Sequence, residues 1–259
     1  MLPEISSKEN HNYKRLKKTA TDKETSIFIE GRKLLEEALK ANLRIKEIFV
    51  DKDSYSSLPE ELKNKNDCQV IFMSNLLIGS TFTTENVPDK NDLIVALAEK
   101  PEWNFDDILK SGKDIVLLEN IQDPGNLGSV IRSSAGFNIG GIILLSESVY
   151  SFNTKVIRAS AGAAFSMPVV SIDDFNNFYK TIKSKNYTFV STSSKTGTEP
   201  DKITKNLPHV FMFGNEGRGL TDGLLQASDK CIRIPHLPKI ESLNLSVAVS
   251  IVLWEFYRE

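Results

Sequence analysis

Two kinds of apolar periodicity alternate along the chain. Ser26-Ile27-Phe28-Ile29 reads as a short strand, and Gly31 to Ala41 places Leu34, Leu35, Ala38 and Leu39 on one helical face. Ile45 to Val50 predicts a strand, Leu58 to Lys65 a helix, and Gln69 to Met73 another strand. Ser74 is placed to cap a short helix through Ile78. Asp92 to Ala98 closes this half as a strand. Pro101 then interrupts the polar stretch 99–104, which marks a linker.

The second half opens on Asp114-Ile115-Val116-Leu117-Leu118, an apolar run typical of a strand buried on both faces. Pro124 and Gly125 precede a helix expected from about Leu127 to Phe137. Strands follow at Gly141–Leu145, Val169-Val170, Tyr187–Ser191, Val210–Phe213 and Cys231–Ile234. Helices are expected at Lys155–Ala161 and Asp173–Lys183, and from about Ser242 to Tyr257. Buried strands alternating with helices imply a parallel sheet covered on both sides. No internal repeat is visible. The expected division is 1–106 for a first domain with its linker and 107–259 for a second.

Composition narrows the class. Apolar residues make up 40% of the 259 and charged residues 25%, ordinary for a globular protein. No apolar run approaches the length of a membrane span, and Met1 to Ala20 lacks the apolar core of a secretory signal. Cys68 and Cys231 are isolated from each other and from clustered histidines. A disulfide framework and a zinc site are therefore disfavoured, no metal is expected, and a reducing cytoplasm fits.

The formal net charge of -2 speaks against a nucleic-acid partner only until its distribution is considered. Between Lys8 and Lys23 stand six basic residues and two acids, beside His11 and Tyr13. A solvated basic helix face is the plain reading of that cluster.

Three segments carry candidate chemistry. The first is Asn126-Leu127-Gly128-Ser129-Val130-Ile131-Arg132-Ser133-Ser134-Ala135-Gly136-Phe137. The second is Phe213-Gly214-Asn215-Glu216-Gly217-Arg218-Gly219-Leu220. The third runs Ile234-Pro235-His236-Leu237 and then Glu241-Ser242-Leu243-Asn244-Leu245-Ser246-Val247-Ala248. Parallel sheets bind ligands beyond the carboxyl ends of their strands, and the second and third segments follow predicted strands. The glycine patterns of the usual dinucleotide and triphosphate loops are missing. Asn126, Glu216, Ser242 and Asn244 also suit helix capping and nothing more. Arg132 also suits an ordinary surface ion pair.

In order and spacing, the three segments resemble the motifs of the SpoU/TrmH family of RNA ribose 2'-O-methyltransferases. The stretch Ile27 to Leu39 is similar to the small ribosomal-protein-like RNA-binding domain that many members carry. The resemblance implies an α/β fold: a C-terminal trefoil-knotted parallel-sheet methyltransferase domain preceded by a small α/β substrate-binding domain. It implies S-adenosylmethionine as cofactor, held near Gly214, Asn215, Ile234, Leu237, Leu243 and Leu245. It makes Arg132 the catalytic residue, with Asn126, Glu216 and Asn244 around it. An arginine's pKa exceeds about 12, so orientation and oxyanion stabilisation suit Arg132 better than proton abstraction. The family segment matched by Lys155 to Ala163 brings Arg158, for which a packing role ranks above a phosphate contact. Asn138 stands where members often have glycine, and asparagine tolerates the left-handed backbone such a turn requires.

The expected partner is RNA, reached by Lys14, Arg15, Lys17, Lys18 and Arg32. Ribosomal RNA is favoured and transfer RNA is the alternative within the class. A homodimer is expected, because the final helix carries apolar residues on more than one face. The rival from another class is a non-catalytic RNA-binding protein of the same fold.

Overall fold

The structure is a computed structural model and describes residues 4–20, 26–63, 67–84, 92–145 and 147–258. Lys23, and the last two residues of the helix expected at Leu58–Lys65, lie outside the described residues. The first elements are α1 (His11–Thr19), β1 (Ile27–Glu30), α2 (Arg32–Lys40), β2 (Ile45–Val50), α3 (Glu60–Lys63), β3 (Gln69–Phe72), α4 (Asn75–Gly79) and β4 (Ile94–Ala98). Then come α5 (Phe105–Lys110), β5 (Ile115–Glu119), α6 (Pro124–Gly136), β6 (Gly141–Leu145), α7 (Thr154–Ala159), β7 (Val169–Ile172) and α8 (Phe175–Lys183). The chain ends with β8 (Thr188–Thr192), β9 (His209–Phe213), α9 (Asp222–Ala227), β10 (Lys230–Ile232) and α10 (Leu245–Tyr257).

Two compact units result. The first comprises residues 1–102 together with 152–165. Its sheet runs β1-β4-β2-β3, with β4 antiparallel to both neighbours and β2 parallel to β3. Phe28, Phe49, Val95 and Leu97 form its core with Leu77 and Ile78 of α4. The basic N-terminal helix is more than a solvated face. Tyr13 and Leu16 of α1 are buried in that core, and the Tyr13 hydroxyl bonds Ser80 Oγ at 2.9 Å.

Segment 152–165 is fastened to this unit by Arg158. Its guanidinium pairs with the buried Glu30 and donates to Thr83 Oγ1 at 2.8 Å. Thr83 Oγ1 in turn lies 2.8 Å from Thr154 Oγ1. Packing thus accounts for Arg158. A buried carboxylate needs a cation and hydrogen bonds to offset its desolvation, and Glu30 has both.

The second unit holds residues 103–151 and 166–259. Its six strands are all parallel, in the order β10-β8-β9-β5-β6-β7. Strands β5, β6 and β9 are buried along their whole length, including Glu119 at the end of β5 and His209 at the start of β9. On one face Ile108 of α5, Phe178 and Ile182 of α8 and Leu224 of α9 pack onto Ile115, Leu117, Phe189 and Met212. Elsewhere in this unit α6 and α10 pack together: Ser133 and Ser250 share a hydrogen bond of 2.7 Å, and the Phe137 ring meets Trp254 and Tyr257. Asn138, after α6, adopts φ 59°, the left-handed turn expected of it.

Two helices were not legible as such. Helix α5 is only six residues long and begins in a capping box, Asn104 exchanging hydrogen bonds with Asp107. Helix α9 is equally short. Neither gives an apolar pattern long enough to register as a period.

Candidate active site

Strand β9 delivers the chain into a tight loop at its carboxyl end. Gly214 is required there by the loop itself: a Cβ would lie 2.0 Å from the carbonyl carbon of Gly219. The Gly219 N–H donates to the Asn215 carbonyl at 2.8 Å, and Gly219 adopts φ +74°. Asn215 organises the turn from within. Its Oδ1 accepts the N–H groups of Gly217 at 3.0 Å and Arg218 at 3.2 Å, and its Nδ2 donates to the Asn120 carbonyl at 2.9 Å.

The second piece is the start of α6. Asp123, not Asn126, caps this helix, with Pro124 in its first turn, and takes the Asn126 N–H at 2.7 Å. That corrects the capping reading of Asn126 and frees its side chain. Its Nδ2 donates to Glu216 Oε1 at 2.8 Å, and its Oδ1 accepts from Asn244 Nδ2 at 3.0 Å. Asn244 is the N-cap of α10, its Oδ1 accepting the Ser246 N–H at 2.9 Å and the Val247 N–H at 3.4 Å.

The polarity of this chain of bonds is set at both ends. A carboxylate only accepts and the N–H groups of a helix start only donate. Both asparagine amides are therefore oriented, and three segments distant in sequence are fixed together. Glu216 caps nothing: α9 starts at Asp222 with Thr221 as its N-cap.

Beside this network lies a cleft of about 330 Å³, in the range of small-molecule sites. Gly214, Asn215, Glu216, Ile234, Leu243 and Leu245 all line it. Leu237 does not; its side chain is 72% exposed, and β10 ends two residues before Ile234. The walls carry both signs of charge, Lys195 and Arg218 against Glu216 and Glu241. Such walls suit a ligand that is itself zwitterionic. His236 also faces the cleft, its Nδ1 donating to the Ile234 carbonyl at 2.8 Å.

Arg132 projects from α6 into solvent. It lies off the cleft walls and makes no hydrogen bond or ion pair among the described residues. Among the other expected RNA contacts, Arg15 is committed to Glu47 by two bonds of 2.8 and 2.5 Å, and Arg32 pairs with Glu36 at 2.9 Å. Lys14 pairs with Glu9, while Lys17 and Lys18 are exposed on α1.

Two residues that hold the loop were not among the expected site residues. Glu119 is buried and accepts the Thr221 N–H and hydroxyl, each at 2.8 Å. Asn120, whose carbonyl holds Asn215, adopts φ 54°. Their signal was the stretch Glu119 to Gly125, which resembles the family's usual lead-in to the first motif.

The loops at the carboxyl edge of the parallel sheet and the bonded Glu216–Asn126–Asn244 set all fall within the stretch that one family model covers. The SpoU rRNA Methylase family model matches residues 113–254, and the chain belongs to that family. It is 28% identical over 98% of both chains to the 23S rRNA (guanosine(2553)-2'-O)-methyltransferase RlmP of Bacillus subtilis (strain 168). It superposes with TM-score 0.84 on an AdoMet-bound rRNA methyltransferase from Sinorhizobium meliloti, at 25% identity and covering 98% of this chain and 97% of that one. The fold is also that of the SpoU methyltransferase AviRb from Streptomyces viridochromogenes in complex with AdoMet, with TM-score 0.84, 20% identity and coverage of 96% and 97%.

Proposed function

We infer that the protein is an S-adenosylmethionine-dependent enzyme that methylates a ribose 2'-hydroxyl of ribosomal RNA. The observation that carries this reading is the Glu216–Asn126–Asn244 network. It joins the three family segments beside a cleft whose size and mixed charge suit a zwitterionic nucleoside. When bound, S-adenosylmethionine supplies an electrophilic methyl group on a sulfonium. The residues of this chain bind and orient. The loop after β9 and the segment 234–245 hold the cofactor. Arg132, unpaired and exposed, steadies the ribose oxygen or its neighbouring phosphate as negative charge develops. Positioning of the hydroxyl in line with the methyl group supplies much of the barrier reduction. The 2'-hydroxyl makes RNA, not DNA, the substrate.

The domains divide this work. The unit of residues 1–102 and 152–165 binds RNA, with Lys17 and Lys18 of α1 as phosphate contacts, and the unit of 103–151 and 166–259, not 107–259, binds cofactor and carries the reaction, in a trefoil-knotted chain. The protein acts in the cytoplasm as a homodimer. The exposed apolar stripe of α10 supports the dimer: Val247, Ile251 and Trp254 follow one another at helical spacing, exposed by 47%, 38% and 51%. No helix among the described residues is long and apolar enough to cross a membrane. Mapping 2'-O-methyl groups in RNA from cells with and without the gene tests the substrate. One ribosomal site should vanish. Loss confined to transfer RNA would move the substrate to that class, and unchanged maps would overturn the reading.

A further inference from the structure

Glu119 and Asn120 stand side by side at the carboxyl end of β5, and each holds one end of the same loop. The Asn120 carbonyl receives Asn215 Nδ2 at 2.9 Å, where the loop leaves β9. The Glu119 carboxylate receives the Thr221 N–H and hydroxyl, both at 2.8 Å, where the loop enters α9. Asn120 is itself pinned, its N–H donating to the Leu145 carbonyl at 3.0 Å. Between the two attachments lie Glu216, bonded to Asn126, and Gly217 to Gly219, which form part of the cleft wall.

We propose that Glu119 is a positioning residue for methyl transfer, holding the 215–221 loop so that Glu216 meets Asn126 and the cleft keeps its shape. The inference rests on the functional reading above. The carboxylate touches neither the cleft nor the Asn126 network, so it acts through Thr221. Geometry, not charge, is what the arrangement uses. A glutamine at 119 can accept the Thr221 N–H through its oxygen and donate to the Thr221 hydroxyl through its amide. An alanine removes both acceptors of Thr221 and releases the loop.

The test uses the full chain, with S-adenosylhomocysteine titrated by calorimetry, methyl transfer to RNA assayed, and melting followed separately. Glu119→Ala should weaken S-adenosylhomocysteine binding and lower kcat, each by roughly 10- to 100-fold, at temperatures where the variant stays folded. Glu119→Gln should recover most of both. Normal affinity and kcat in a folded Glu119→Ala protein, with only the melting temperature lowered, would overturn the proposal. So would a Glu119→Gln variant as impaired as alanine. Should the alanine variant fail to fold, Thr221→Val removes one of the two bonds and keeps the backbone N–H. It should show a smaller loss of the same kind, and wild-type behaviour there would equally overturn the proposal. A wild-type protein that binds no S-adenosylhomocysteine would instead remove the functional reading itself.

Discussion

Asn126 and Glu216, ninety residues apart in sequence, share a hydrogen bond of 2.8 Å that joins the start of α6 to the loop after β9. The same Asn126 amide accepts from Asn244 at 3.0 Å, so one side chain ties together all three family segments. Each partner is committed in polarity, and an isosteric change should therefore be costly. Asn126→Asp would set a carboxylate against the Glu216 carboxylate and remove the donor between them. Methyl transfer should fall by about 10²-fold or more with little loss of fold, as read by kcat/KM and circular dichroism. Near-normal kcat/KM would show the network to be incidental.

Arg132→Ala separates chemistry from cofactor binding. Arg132 lies off the cleft walls, and among the described residues its side chain has no partner to strand when it is removed. Turnover should drop by about 10²–10³-fold, the loss typical of one oxyanion donor, while calorimetry finds cofactor affinity nearly unchanged. Wild-type turnover would remove Arg132 from the mechanism.

Gly214→Ala should act in the opposite sense. The added Cβ would lie 2.0 Å from Gly219, so the 214–220 loop cannot close as it does. Overpacking of this kind costs about 1–3 kcal/mol, and the displaced loop forms a wall of the cleft. Cofactor affinity should fall together with stability. Retained affinity would mean that the loop can relocate without consequence for the site.

Arg158→Ala is a stability prediction for the first unit. It would leave Glu30, with a side chain only 3% exposed, without its cation. Breaking a buried pair by removing one partner costs about 3–5 kcal/mol, measurable by denaturant unfolding. A double change to apolar residues at both positions should lose less, because no charge is then left buried.

Trp254→Glu and Val247→Glu place charge on the exposed stripe of α10. Light scattering at micromolar concentration should give twice the 29.0 kDa chain mass for the native protein and the single-chain mass for either variant. A native mass near 29.0 kDa would contradict the dimer.

The sequence made the buried strands plain, because β4, β5, β6 and β9 each carry an apolar run of four or five residues. It placed Asn126, Glu216 and Asn244 in one site through motif order, but not the bonds between them. Those depend on Asp123 taking the capping role and freeing Asn126, a choice that two capping-competent residues three positions apart leave open. Leu237 is exposed and lies off the cleft walls, and β10 ends at Ile232, earlier than its apolar pattern suggests. The mixed pairing of the first sheet was invisible, since an amphipathic strand reads alike in either direction. Arg158 was legible as a packing residue, though its partner Glu30 belongs to a strand 128 residues away.

The reaction proposed for this protein is methyl transfer to a ribose oxygen of ribosomal RNA. Purified protein, incubated with methyl-labelled S-adenosylmethionine and ribosomal RNA lacking the modification, tests it most directly. A methylated 2'-oxygen cannot attack the neighbouring phosphate, so alkaline hydrolysis leaves the adjoining linkage intact. The label should appear in a single alkali-resistant dinucleotide, and Arg132→Ala should slow its appearance by about 10²–10³-fold. Label released as a mononucleotide, or no label in RNA while the protein binds cofactor, would contradict the account.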